Sequence, residues 1–507
     1  MSPFRYHEYI SYLKEIDNMH IVSSGLSMAC LGTATLDEIL INFKRNNPTL
    51  SNKVSEYSHG MKWNAKLLYT VFLNNIYCII EDIEKSGIPF IFTLYPGGGF
   101  GIDNKNSDMM LKRVTSSPFF IKVIATQKIT YDYLITKGFC TPDQVEYIYG
   151  IVTPDDKINK EYTDKKHFGF EKETLDIVFG AYRYTPKGVD KGYDVFINVA
   201  KTLAKEINNV HFHVFGGFNE NVIDVKELKN SITFYGSKNV DWFNEFFMDK
   251  DIMLSPNIHG KIYKGSFDGF PTGTCTEAAF RETAIFCTDD LGLNQNYIDG
   301  QDLVIISHDQ KEIVEKIKYY FEHPDVLRTI AQNGRQKVNM LYGYNAQILP
   351  RINLIKKKIL KSDYYIAQNI EKAYVEKKKY EESDNKPLTV KSSLKSIKVI
   401  LWRFIKAKKK NIHQILNLMN DLKIINNSDL FDREWYLAQY PDVSQSMINP
   451  AYHYLMHGGF ENRNPGPNFS SEAYLRNYPD IRAANINPLL HYLKWGLKEG
   501  RRIHTAF

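Results

Sequence analysis

Long apolar runs are missing from this chain: no stretch reaches ~18 uninterrupted apolar residues, which argues against a membrane-spanning helix. The opening Met1-Ser2-Pro3-Phe4-Arg5-Tyr6 lacks a basic region followed by an apolar core, so no secretory signal is expected and a cytoplasmic location is. Cysteine is scarce. Its five copies, Cys30, Cys78, Cys140, Cys275 and Cys287, are scattered with no CxxC pair. That spacing argues against a disulfide framework or a zinc site and fits free thiols in a reducing compartment.

What is present is the material of a multidomain globular protein. At 507 residues, 43% hydrophobic and 24% charged, the chain exceeds one compact core and calls for two or three. Its net charge of +6 is unevenly spread: Arg351 to Lys410 holds 18 Lys/Arg against 6 Asp/Glu, so the remainder is net acidic. The run reads as a solvated linker or exposed helix, with anionic lipid as the sharper alternative. Within it, Leu394, Ile397, Leu401, Phe404 and Ile405 share one helical face and Lys395, Lys398 and Lys406 lie toward the other. Nucleic acid is not expected as a partner, because the folded parts are acidic.

Strand and helix patterns alternate from the N-terminus. Residues 88–94, 121–126 and 145–149 read as strands, the first feeding the loop Tyr95-Pro96-Gly97-Gly98-Gly99. After a polar stretch near 155–172 the alternation restarts, with strands at 175–180, 210–216, 232–236, 252–256, 284–288 and 303–306. A helix over 193–205 places Val195, Phe196, Val199 and Leu203 on one face. Two successive α/β units with mostly parallel sheets are expected, creating a cleft where they face each other.

The residue types suited to phosphate and sugar chemistry cluster in the second unit. Arg183 follows its first strand and Lys191-Gly192 opens the next helix, two cations suited to a diphosphate, although such residues are also common on solvated surfaces. The run Asp268-Gly269-Phe270-Pro271-Thr272-Gly273-Thr274 precedes a helix starting around Cys275, its small residues exposing backbone N–H groups. Glu277, one turn in, can accept from ribose hydroxyls, and Asp268 from a hexose hydroxyl. Capping by Asp268 and Thr274 is the structural alternative. Asp289-Asp290 has no third ligand in view, so no metal site is expected.

The C-terminus repeats itself with a period of 38 residues. Tyr436, Tyr440-Pro441-Asp442, Asn449-Pro450, His453-Tyr454-Leu455, Gly458, Glu461 and Arg463 recur from Tyr474 through Arg501. A duplicated helical unit is expected, with core histidines and Glu–Arg surface pairs rather than a metal site.

Residues 175–340 resemble the donor domain of the retaining glycosyltransferase family 4, on the pattern Arg183, Lys191-Gly192, Asp268-Gly269-Phe270-Pro271, Glu277-Ala278, Gly292 and Asp299-Gly300. Residues 70–155 resemble the acceptor domain of bacterial surface-polysaccharide members, and the terminal repeats resemble modules appended to such transferases. The resemblance implies a GT-B α/β fold: an acceptor-side Rossmann-like domain (1–160) and a donor domain (161–355) facing a cleft, a basic, partly helical linker (356–428), and two helical repeats (429–507). It implies Arg183 and Lys191 on the diphosphate, Glu277 on the ribose, and Asp268 with Phe270 and Pro271 along the donor-sugar pocket. Thr272, Gly273, Thr274, Gly97, Gly98 and Gly292 complete the implied binding set. The family spaces two glutamates by seven residues; here the first is Asp268 and eight intervene before Glu277, so the loop must bulge or shift.

The implied reaction transfers a sugar from a nucleotide-diphosphate sugar to a saccharide or lipid-linked saccharide hydroxyl, with retention, in surface-polysaccharide synthesis. The nucleotide sugar is a substrate, and no cofactor is expected. No residue stands out as a base or nucleophile, in keeping with a mechanism that uses the leaving phosphate. Further implied partners are anionic membrane at the inner face, through the linker, and a protein, through the repeats. The rivals are a same-architecture epimerase, hydrolase or phosphorylase (the last lacking a pyridoxal-lysine signature) and a non-catalytic scaffold.

Overall fold

The computed structural model describes residues 6–23, 35–58, 60–61, 63–153, 160–162, 164–238, 242–360, 420–445 and 450–503. The basic amphipathic helix expected over Lys391 to Lys410, together with Cys30 and Asn449, lies outside them. The chain divides into two compact units, Met1–Ile366 and Ala367–Phe507.

In the first unit, β1 (Ile21–Ser23) and β2 (Val54–Glu56) form a small parallel pair. A four-stranded sheet follows, built from β3 (Leu68–Val71), β4 (Phe90–Leu94), β5 (Phe120–Ala125) and β6 (Val145–Tyr147), in that order and all parallel. Every residue of β4 is buried, the pattern of a parallel strand covered on both faces. β3 and the β1–β2 pair carry three or four residues each and were not anticipated, because runs that short show no periodicity of their own.

The second sheet contains β7 (Leu175–Ala181), β8 (Val210–Gly216), β9 (Ile232–Gly236), β10 (Ile252–Ser255), β11 (Ala284–Cys287) and β12 (Val304–Ile305). Its spatial order is β12-β11-β10-β7-β8-β9, again all parallel. The direction of winding reverses between β7 and β10, and in open α/β sheets ligands bind beyond the carboxyl ends of strands at such a point. The helix Tyr193–Glu206 buries Val195, Phe196, Val199 and Leu203 against this sheet, the face that its periodicity predicts. The sequence division at 355 counts the end of the chain's first unit with the second sheet. There, Ile348, Ile352 and Ile355 of the helix Tyr344–Leu360 pack instead with Tyr12, Ile16, Ile91 and Ile121, at the first sheet.

In the second compact unit the helices Arg433–Gln439, Pro441–Gln445 and Pro450–His453 recur 38 residues later as Ser471–Asn477, Pro479–Ala483 and Pro488–His491. The repeated residues serve the packing. Tyr436 Oη and His453 Nδ1 are hydrogen-bonded at 2.9 Å, as are Tyr474 Oη and His491 Nδ1. A Cβ at Gly458 would meet Tyr436 Oη at 2.1 Å, which explains why glycine stands there. Arg463 lies over Tyr440, bonded to Asp442 and Glu461; Arg501, Tyr478, Asp480 and Glu499 repeat the arrangement. Asn487 of the second copy donates to Tyr454 O (2.9 Å) and Leu455 O (3.2 Å) of the first, so the second copy ties down main-chain carbonyls of the first.

At the second sheet, His213 Nε2 lies 2.6 Å from Asp176 Oδ1 and Nδ1 lies 2.9 Å from Tyr235 Oη. Burial, only partly offset by Asp176, pushes His213 down to about 4. Burial alone would raise Asp176, but bonds and charge from His213 and Lys172 outweigh it and hold the carboxyl at about 2. A histidine depressed in the folded state binds fewer protons than in the unfolded chain. Its contribution is therefore full above about pH 6.5 and is lost as pH falls toward 4. Urea unfolding is expected to show wild type losing up to about 3 kcal/mol more than His213→Gln between pH 6.5 and 4.

Candidate active site

Loops from both main sheets converge on one cavity of about 410 Å³. From the first sheet come Phe72 and Asn74, after β3, and Pro96 to Gly99, after β4. The glycines are required by contact: a Cβ at Gly98 would meet the Phe72 ring at 2.5 Å, and one at Gly99 would meet Asn74 Oδ1 at 1.9 Å. From the second sheet come Tyr184 and Asp190 after β7, Asn257 to Thr272 in part after β10, and Thr288 to Leu293 in part after β11.

The segment between Asn257 and Ser266 crosses from the second sheet to the first. Tyr263 Oη donates to Phe100 O (2.9 Å), Ile102 N to Gly265 O (2.9 Å), and Asn104 Nδ2 to Lys264 O (2.9 Å). Gly265 has φ +81°, and a Cβ there would lie 1.7 Å from Ile102 O, so only glycine permits this approach. Further along the cavity Tyr149 Oη donates to Phe270 O at 2.6 Å, and Gln347 Nε2 donates to Tyr149 O at 2.7 Å.

The sequence-selected residues divide into those at the cavity and those set back from it. Gly97, Gly98, Asp268, Phe270, Pro271 and Thr272 line it. Lys191 is buried just behind the wall, ion-paired with Asp268 Oδ2. Asn257 Nδ2 donates to that same oxygen at 2.9 Å, so Asp268 is held on one side only. Gly273 and Thr274 begin the seven-residue helix Gly273–Ala279, which starts two residues before the expected Cys275, with Thr272 at its cap position. Gly292, at φ +60°, turns the loop whose Leu291 and Leu293 line the cavity.

Arg183 and Glu277 are not among the lining residues. Arg183 is exposed, its Nε donating to Gly217 O (2.8 Å) and its Nη1 to Pro186 O (2.7 Å). Glu277 Oε2 accepts from Arg281 at 2.8 Å. Arg281 is fully buried and also donates to Asn244 Oδ1 and Glu277 O. That pairing was hidden in the sequence, because the i,i+4 spacing alone does not show that the arginine is buried. Asp289 accepts from Leu293 N (2.6 Å) and Asn294 N (3.0 Å), shaping its own loop.

Sequence reasoning missed Asn257, His259, Asp190 and Asp290 as cavity residues. A signal was available: each lies one to five residues beyond the end of a strand or of the first turn after β7. Asp190 is buried, accepts from Thr185 Oγ1 at 2.6 Å, and leaves Oδ2 without a protein partner. Among the described residues, four carboxylates (Asp190, Asp268, Asp289, Asp290) and one basic side chain (His259) line the cavity.

A six-stranded parallel sheet with a cavity at its switch point, opposed by a second parallel sheet, defines a ligand-binding α/β architecture of the two-domain GT-B kind. Residues 163–337, spanning that six-stranded sheet, match the family model described as glycosyl transferases group 1. The chain thus carries a glycosyltransferase group 1 domain and is an enzyme. No curated relative matches it. Among solved structures, it is similar to a sucrose-phosphate synthase from Thermosynechococcus elongatus (14% identity, 64% of this chain and 78% of that one, TM-score 0.42). A glycosyltransferase from Rickettsia africae matches at 16% identity over 70% and 93%, TM-score 0.44. HepE from Anabaena, in complex with UDP and glucose, matches at 14% over 63% and 89%, TM-score 0.45. No helix among the described residues is long and apolar enough to cross a membrane.

Gly265→Ala is expected to break the crossing between the sheets. Transfer activity should fall at least about tenfold, because misplacing groups by about 1 Å is enough for that, while far-UV circular dichroism stays that of wild type.

Proposed function

We propose that this enzyme transfers a sugar from a nucleotide-diphosphate sugar to a saccharide or lipid-linked saccharide hydroxyl, with retention at the anomeric carbon, in surface-polysaccharide synthesis. The observation that carries the reading is the cavity at the switch point of the group 1 domain, closed on its far side by the first sheet's glycine loop. That placement gives a donor one wall and an acceptor the other. The family 4 resemblance supplies the retaining outcome and the polysaccharide setting.

In this reading Lys191 neutralises the leaving diphosphate after exchanging its bond to Asp268 for one to phosphate, and Asp268 turns to a donor-sugar hydroxyl. Arg183 joins the diphosphate by leaving Gly217 O and Pro186 O, and Glu277 receives the ribose while Arg281 holds it in place. Phe270, Pro271, Thr272, Gly273, Thr274 and Gly292 shape the donor pocket, and Gly97 and Gly98 the acceptor side. The domain limits follow the sequence division apart from the helix Tyr344–Leu360, which packs at the first sheet, with residues 356–428 as a basic linker against anionic membrane and 429–507 as a repeat module for a protein partner.

Calorimetric titration with UDP, GDP, ADP and dTDP tests the donor site. One nucleotide is expected to bind wild type and to lose affinity in Lys191→Ala and Glu277→Ala; binding by none of the four overturns the reading. Lys191→Ala and Arg183→Ala are each expected to lower the transfer rate by about 10²–10³, as removal of a preorganised charge stabiliser does. Rates above about one tenth of wild type in both would remove these two residues from the mechanism.

A further inference from the structure

Phe72, directly after β3, stands where local rules ask for another residue. It is the N-cap of the helix Leu73–Ser86, yet its side chain offers no cap bond. Its backbone, at φ 69° and ψ 143°, lies in a region that glycine occupies readily and bulky residues rarely do. Two main-chain bonds hold it there: Phe72 N donates to Thr93 O and Asn74 N to Gly98 O, both at 2.9 Å. Glycine would ease this backbone and asparagine would cap the helix. What phenylalanine adds is its ring.

That ring belongs to the cavity wall. Phe72 is half-buried and lines the cavity beside Asn74. It packs over Gly98, where an added Cβ would meet it at 2.5 Å, and against Tyr95, with ring centroids 5.7 Å apart. Tyr95 is buried, and its Oη donates to Glu8 Oε2 at 3.0 Å. Glu8, fully buried, also accepts from Tyr12 at 3.1 Å and from Tyr69. The Phe72 ring therefore rests on a side chain that is anchored in the core. Asn74 is exposed, and its carboxamide, set against Gly99, bonds to no other group among the described residues.

Charge is segregated across the cavity. Asp190, Asp268, Asp289 and Asp290 all belong to loops of the second sheet, as does Lys191 behind the wall. Among the described residues, the first sheet contributes no charged side chain to the lining. An aromatic ring with a free carboxamide beside it suits a neutral ring that carries hydroxyls. In a pyranose, axial C–H bonds form an apolar face that meets the electron-rich face of an aromatic ring. Its equatorial hydroxyls pair with an amide that both donates and accepts. A phosphate would instead call for a cation on this side.

We propose that Phe72 and Asn74 form the acceptor-sugar subsite, Phe72 as the platform for one face of a pyranose and Asn74 as the bond to its hydroxyls; this rests on the transfer reaction proposed above. The strained backbone at Phe72 holds the ring at the cavity against what the start of the helix favours. The subsite binds and orients the acceptor. It takes no proton and forms no bond at the anomeric carbon.

The test uses the full chain as wild type, Phe72→Gly, Phe72→Tyr and Asn74→Ala, each with the diphosphate (UDP, GDP, ADP or dTDP) that wild type binds. The probes are methyl α- and β-glycosides of glucose, galactose, mannose and N-acetylglucosamine, with binding read by saturation-transfer NMR. Wild type is expected to bind at least one of them. Phe72→Gly is expected to weaken that binding about three- to tenfold, the worth of an aromatic contact, and Asn74→Ala about threefold or more. Phe72→Tyr, which keeps the ring, is expected to stay within about twofold of wild type. Nucleotide affinity by calorimetry is expected within about threefold of wild type in all three variants, which certifies their fold. Glycoside binding in Phe72→Gly within about twofold of wild type overturns the proposal. So does loss of nucleotide affinity in step with glycoside binding, the mark of a packing defect. A wild type that binds a nucleotide but none of the glycosides overturns this inference alone. Failure of wild type to bind any nucleotide overturns the donor reading and this inference together.

Discussion

Parallel strand direction is the constraint on which the rest of this enzyme depends. In both main sheets of the first unit every strand runs the same way as its neighbours, so all the loops that follow strands emerge at one edge of each sheet. Residues far apart in the chain thereby become neighbours: Gly97 after β4, Lys191 after β7, His259 after β10 and Asp290 after β11. The reversal of winding between β7 and β10 opens a crevice at that edge, and the segment from Asn257 to Ser266 carries the crevice across to the first sheet. Backbone bonds at Gly265 and Ile102 make this crossing a close contact of main chains, which is why a glycine is needed there.

The electrostatics of the cavity follow from this convergence. Four carboxylates face it, yet few are idle: Asp289 holds its own loop, Asp290 two imidazoles, and Asp268 is paired with Lys191. Lys191 and Asp268 neutralise each other at the edge of the cavity. The buried Arg281 plays a comparable part for Glu277, holding a partly exposed carboxylate with a fixed cation. Each ion pair keeps a charged group in place before a ligand arrives, and preorganised charge is worth most where water is scarce.

The repeat unit shows the opposite use of polar residues. Its recurring histidine, tyrosine, glycine, arginine and acidic positions are consumed internally, in the Tyr–His bonds and in arginines laid over tyrosine rings. Bonded polar groups such as these help a small module with limited apolar surface to specify one packing.

Much of this was legible from the chain alone. Longer strands such as 175–181 and 210–216 declare themselves as apolar runs bounded by glycine, and the helix 193–206 by its 3.6-residue period, because burial on two faces or one imposes those patterns directly. The 38-residue repeat was legible for the same reason: identical contacts demand identical residues. Tertiary structure alone decided what has no local signature. Strand order placed His259, Asp290 and His308 together across 50 residues of chain. Main-chain carbonyls, which no side-chain pattern announces, took up Arg183. The buried Arg281 claimed Glu277, and the helix Tyr344–Leu360 returned to the first sheet because its apolar face fits there. Local sequence sets periodicity and turn chemistry over a few residues, whereas the partner of a charge is set by which strand ends lie side by side, and only the folded sheet fixes that.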